Sequence, residues 1–132
     1  MSQENLDAVG TVYEQWGRGN FGAGRELYDR FALYIPLADF PAAAYYVGPE
    51  GKGEFMREYL KEWTNLTISA EEVIDAVDSV VVAVQQRAEG MKSGTSTEFR
   101  YFSVWTFRAG TVIRLEDFRD RTAALEAAGL SN

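Results

Sequence analysis

At 132 residues with no cysteine and no histidine, the chain has the length of a single domain, residues 1–132. It cannot build disulfides, a thiolate nucleophile, the usual zinc sites or any imidazole-based triad. A net charge of −7 and a pI near 4.6 oppose binding to nucleic acid or to an anionic membrane surface. Acid–base chemistry is left to Asp, Glu, Tyr, Lys and Arg, and an aromatic content of 14% points to an aromatic core or an aromatic-lined, hydrophobic pocket.

The first predicted element is a helix from Gln3 to Trp16. Ser2 caps it, and Leu6, Val9, Tyr13 and Trp16 make one apolar face. Gly17-Arg18-Gly19-Asn20 stops it, and Asn20 starts a second, shorter helix that buries Phe21, Leu27 and Tyr28. Phe31–Leu37 reads as a strand, ended by Pro36, which has no N–H for a sheet ladder. A loop of small and aromatic residues runs from Ala38 to Val47. Gly48-Pro49-Glu50 opens a third helix, predicted to reach Trp63 with Phe55, Met56, Tyr59, Leu60 and Trp63 on its apolar face.

The second half reads as consecutive strands. These are Leu66–Val77, bulged near Ala70-Glu71-Glu72; Val80–Met91, after a turn at Asp78-Ser79; Glu98–Arg108, after Ser93-Gly94-Thr95; and Thr111–Arg119, after Ala109-Gly110. A closing helix starts near Asp120 and ends at Gly129. Helices first and then a mostly antiparallel sheet make an α+β fold. Apolar runs such as Val80–Val84 are too short to span a membrane, and Met1-Ser2-Gln3-Glu4-Asn5 is unlike a signal peptide, so a cytoplasmic location is expected.

Both faces of the central strands are apolar: Val80, Val82 and Val84 against Val81 and Ala83, and Phe99, Tyr101, Trp105 and Phe107 against Phe102 and Val104. A solvated sheet face should read polar. One face therefore meets the helices, and the other is expected to meet a second copy in a homodimer, unless the closing helix and the loop cover it within one chain.

The run Val9…Tyr13…Trp16-Gly17-Arg18-Gly19-Asn20-Phe21, Leu27-Tyr28, the strand ending at Pro36 and the helix opening Gly48-Pro49-Glu50-Gly51 resemble the SnoaL-like branch of the nuclear transport factor 2-like superfamily. So does the end, Val104-Trp105-Thr106-Phe107-Arg108-Ala109-Gly110-Thr111-Val112 followed by Leu115-Glu116-Asp117-Phe118-Arg119-Asp120. The resemblance implies a curved sheet wrapped on N-terminal helices into a cystatin-like, cone-shaped barrel with a pocket at its open end. It also implies frequent dimers through the outer sheet face. The fold hosts isomerases, dehydratases, polyketide cyclases, epoxide hydrolases and non-catalytic modules, so the site must decide the function.

Three positions that carry ketosteroid isomerase chemistry in the superfamily fall here at Pro36, Val12 and Ser103, none of which repeats that arrangement. Arg87-Ala88-Glu89 and Asp117 resemble the Arg-x-Asp and second Asp of limonene-epoxide-hydrolase-like members, with Glu in place of Asp. That family's water-holding Tyr and Asn fall at Ala32 and Tyr34.

The expected catalytic group is thus Asp117 as principal acid or base, with Arg87 orienting it and Glu89 assisting. Asp117 is read as sharing its strand face with Ile113 and Leu115, where a carboxylate is costly unless paired or functional. Tyr34, Tyr101, Ser103, Trp105, Trp63 and Tyr59 are the expected substrate-binding residues. No metal or cofactor is implied, and the expected partner is a small apolar molecule. The stretch Gly48-Pro49-Glu50-Gly51-Lys52-Gly53 superficially resembles a phosphate loop but lacks its Gly-Lys-Ser/Thr ending. The two functional classes in play are a metal-free acid–base enzyme and a non-catalytic binding or dimerisation module. An open cavity around a buried Asp117 separates the first from a cone filled by Trp16, Trp63, Trp105 and Phe107.

Overall fold

The computed structural model describes residues 2–40 and 44–130. Helix α1 spans Ser2–Gly17, and α2 spans Gly48–Leu60 with its proline in the first turn, where a missing N–H costs nothing. A six-stranded sheet is built from β1 (Tyr28–Ile35), β2 (Tyr46–Val47), β3 (Trp63–Asp75), β4 (Ser79–Gly90), β5 (Ser96–Arg108) and β6 (Thr111–Phe118). Their order across the sheet is β2-β1-β6-β5-β4-β3, open at both edges. Among the described strands only the β1–β6 pair is parallel. Helix α3 (Arg121–Ala127) closes the described chain, with Asp120 accepting a 2.8 Å hydrogen bond from the Ala123 amide as its cap. The fold is α+β, a curved sheet on helices. Among the described residues no helix is long and apolar enough to cross a membrane.

Several boundaries and registers differ from those read in the sequence, the first strand running Tyr28–Ile35 and a short strand, Tyr46–Val47, lying inside the predicted loop. The second helix is a single 3-10 turn, Arg25–Leu27, and Tyr28 already belongs to β1. Helix α2 stops at Leu60 and Trp63 opens β3 opposite Gly90. The repeat Phe55, Tyr59, Trp63 continues the helical spacing through a turn that carries no glycine or proline, so the pattern overruns the helix. The register of β1 on β6 breaks between Tyr28 and Leu33, and the Phe31 amide is drawn to its neighbour Asp29 at 2.8 Å, leaving Phe31 exposed. Finally, β5 and β6 slip register between Thr106 and Phe107. That bulge puts Val112, rather than Ile113, into the core beside Leu115 and Asp117. The bulge read at Ala70-Glu71-Glu72 is present between Ala70 and Glu72.

The concave face of the sheet carries Val80, Val82, Val84, Gln86 and Ala88 of β4 and Tyr101, Ser103, Trp105 and Phe107 of β5. It meets Val9, Val12, Tyr13 and Trp16 of α1 and Phe55, Met56 and Tyr59 of α2. The convex face has its own small cluster: Val81 and Val104, flanked by Ile74, Phe102 and Phe118, lie under Ala124 and Leu125 of α3. The closing helix therefore covers Val81 and Val104 on the outer face within one chain. That face also carries charge, with Arg100 bound to Glu71 at 2.8 Å and Arg87 to Glu98 at 3.0 Å. Of the apolar residues on which the homodimer expectation rested, Val81 and Val104 are buried, whereas Ala83 and Phe102 remain half-buried.

Candidate active site

Residue alternation along β5 and β6 sets the site. Ser103 and Asp117 are register partners, and both point into the cone because Tyr101, Trp105 and Leu115 on the same faces are core. The Ser103 hydroxyl donates to Asp117 Oδ1 at 2.6 Å, the length of a charge-assisted bond. The Tyr34 hydroxyl, brought by β1, donates to Oδ2 at 3.0 Å. Asp117 is 8% exposed. Its burial raises its pKa from 3.8 to about 6, against the lowering influence of the Ser103 bond, the Lys52 ammonium and the Tyr34 bond. Desolvation wins because three partial compensations do not replace water around a full charge.

Lys52 is the second charge. It lies on α2 at three-to-four spacing with Phe55, Met56 and Tyr59, so the helix presents it on the apolar face. The residue as a whole is half-buried, but its ammonium sits among rings, 4.6 Å from the centre of Tyr34, 5.2 Å from Trp16 and 5.3 Å from Phe55. Desolvation lowers its pKa to about 8, with Asp117 pulling the other way. Among the described residues no carboxylate lies within ion-pairing distance of it.

Both charges line an inner cavity in which about 20 Å³ is open to the centre of a water molecule, room for one or two waters. Its wall includes Gln86, whose carbonyl accepts from the Tyr101 hydroxyl at 3.2 Å and whose amide donates to the Tyr59 hydroxyl. A larger hollow of about 320 Å³ lies outside it, lined by Leu37, Asp39, Trp63, Phe99, Arg100 and Arg119 among others. Phe40 and Tyr59 line both spaces and so stand between them. The Tyr59 side chain is tied to Gln86, whereas the Phe40 ring packs on Phe55, Tyr59, Phe99 and Tyr101 and its amide donates to the Leu37 carbonyl at 3.0 Å.

A sequence profile of the SnoaL-like domain matches residues 9–115. The chain belongs to the SnoaL-like domain family. No curated protein matches the sequence, but solved structures share the fold. An NTF2-like protein from Burkholderia thailandensis is 24% identical with a TM-score of 0.80, covering 94% of this chain and 95% of its own. A putative SnoaL-like polyketide cyclase from Jannaschia sp. is 19% identical with a TM-score of 0.74, covering 99% and 95%. A protein of ketosteroid isomerase-like fold from Catenulispora acidiphila, crystallised with trimethylamine, is 16% identical with a TM-score of 0.74, covering 94% and 93%.

Within this SnoaL-like fold the expected residues fall in different places. Asp117, Tyr34, Ser103, Tyr101 and Tyr59 line the inner cavity. Trp63 lines the outer hollow. Trp105 is fully buried behind the cavity, its Nε1 donating to the Tyr13 hydroxyl at 3.2 Å.

Arg87 and Glu89 are not brought to Asp117. The inward positions of β4 are Gln86 and Ala88, so Arg87 and Glu89 lie on the outer face, Arg87 exposed and bound to Glu98, Glu89 half-buried. The epoxide-hydrolase-like arrangement is therefore not assembled.

Besides the Tyr13 hydroxyl, two polar members of the cavity wall were absent from the expected set, Lys52 and Gln86. Periodicity carries the signal for both: each is a polar residue on the apolar face of its element. Gly48–Gly53 winds into the start of α2 rather than a phosphate cradle. Among the described residues no cluster of three or more carboxylates converges where a metal ion could be held.

Proposed function

We propose that this SnoaL-like protein is a small-molecule enzyme in which Asp117 moves a proton to and from an apolar cyclic or polyketide-like substrate, as a cyclisation, isomerisation or dehydration requires. The observation that carries this reading is a single ionisable acid held by two hydroxyls inside a carbon-lined cavity. At neutral pH a carboxyl with a pKa near 6 is about ten parts base to one part acid. Both forms are then at hand, which suits a general base that must return its proton. Tyr34 and Ser103 orient the carboxylate. The Tyr34 hydroxyl stays on Asp117, and that of Tyr101, its pKa raised by burial, turns from Gln86 to donate to a substrate oxygen. The substrate is read as entering from the outer hollow with its reacting end displacing Phe40.

The test is proton exchange rather than turnover of a guessed substrate. A panel of enolisable cyclic ketones and 1,3-diketones is incubated with the protein in deuterated buffer and followed by NMR. Exchange above background is expected, falling by about 10²–10⁴ in Asp117→Asn and rising in Phe40→Ala, with Phe40→Leu as the second variant if alanine unfolds the chain. Exchange absent from the native protein and both Phe40 variants refutes the enzyme reading. The small inner cavity would then favour the non-catalytic ligand-binding or dimerisation module.

A further inference from the structure

Lys52 is not needed to explain the fold. An ammonium among Trp16, Tyr34 and Phe55 gains from the ring faces, but it gives up water and keeps three N–H donors that the rings do not replace. Its position opposite Asp117 is specific. Tyr34 joins the two, its ring under the ammonium and its hydroxyl on the carboxylate. The cavity thus has a cationic pole on α2 and an anionic pole on β6, separated by a space for water. Phe40 closes the outer side with one six-membered ring, packed on Phe55, Tyr59, Phe99 and Tyr101.

We propose that Lys52 is an anion-binding residue and that the site takes a planar six-membered-ring compound with a weakly acidic oxygen, an enol or a phenol, whose ring replaces that of Phe40 and whose oxygen accepts from Lys52. The inference rests on the assignment of Asp117 as the base and names what faces it. For an enolisable ketone the step balances without a co-reactant. The α-C–H bond breaks, its proton forms an O–H bond on Asp117, and its electron pair becomes the enolate, whose oxygen is held by the ammonium. Return of the proton to another carbon completes an isomerisation with no net oxidation.

Binding of 4-nitrophenol, read by absorbance between pH 5 and 9, tests this without turnover. The groups facing the ligand oxygen are Asp117, Lys52 and the hydroxyls of Tyr13, Tyr34, Tyr59 and Tyr101. The tyrosines are pushed above this range by burial. Glu116, the charged neighbour on β6, is engaged by Arg114. The native protein, and Phe40→Ala more tightly, are expected to bind the phenolate in preference to the phenol, lowering the ligand's apparent pKa. Lys52→Met should lose about tenfold or more in phenolate affinity while binding the neutral phenol as before. Asp117→Asn should bind phenolate more tightly, because a like charge is gone. A purely structural Lys52 would leave the preference for the anion unmoved.

The proposal is overturned by unchanged phenolate affinity in Lys52→Met, by preference for the neutral phenol, or by binding of neither form to the native and Phe40→Ala proteins. If that happens while Asp117-dependent proton exchange persists, only the role of Lys52 fails. Phenolate binding through Lys52 without any exchange would sink the enzyme reading alone.

Discussion

Asp117→Asn is expected to make the protein more stable at pH 7. In the unfolded chain this carboxyl titrates near 3.8, and in the fold near 6. At about 1.4 kcal/mol per pH unit, the separation amounts to about 3 kcal/mol. The sign follows from proton binding. Between these two values the folded state holds the extra proton, so stability falls as pH rises through the window and stays lowered above it. Asparagine keeps an acceptor for the Ser103 or Tyr34 hydroxyl and carries no charge, so it mimics the protonated acid. Urea unfolding of both proteins from pH 4 to pH 7.5 should therefore show near-equal stabilities at about pH 4 and a variant gain approaching 3 kcal/mol above pH 6. A gain of this size together with lost proton exchange is what a strained functional acid predicts. An Asp117→Asn protein less stable than the native one by the same amount at every pH would refute the reasoning, because the carboxylate would then be a structural hydrogen-bond acceptor.

The opposite pole gives a mirror-image expectation. Folding lowers the pKa of Lys52 to about 8 from an ordinary 10.5, so Lys52→Met should be more stable than native at pH 7, by a margin that shrinks between about pH 8 and pH 10.5 in the same denaturation assay. Arg87→Ala and Glu89→Gln should leave proton exchange unchanged and shift stability by less than about 1 kcal/mol, since the Arg87–Glu98 pair is exposed. In the last strand Val112→Ala should cost about 2 kcal/mol by thermal or urea unfolding, and Ile113→Ala less than half of that, because the bulge places Val112 in the core.

How far the residues alone could be read depended on the range of the interactions involved. The strand alternation of β4 and β5, the helical spacing of α1 and the turn residues at Gly94 and Gly110 are local signals, and they sufficed for the α+β class and most of the element order. They also marked Asp117 as a carboxylate on an apolar strand, and placed Tyr101, Ser103 and Trp105 on one face of β5 and Tyr59 on the apolar face of α2. Which face of β4 is concave is not a local property, because Val81 and Val82 are equally apolar. Only the docking of α1 and α2 on one side and α3 on the other decides it, and that choice sends Gln86 inward and Arg87 and Glu89 outward. The one-residue slip at Phe107, which exchanges Ile113 for Val112, and the turning of Lys52 toward Asp117 across 65 residues of chain likewise belong to the tertiary structure. Each is set by how the faces of distant elements close against one another, and neither side of such a contact carries the information by itself.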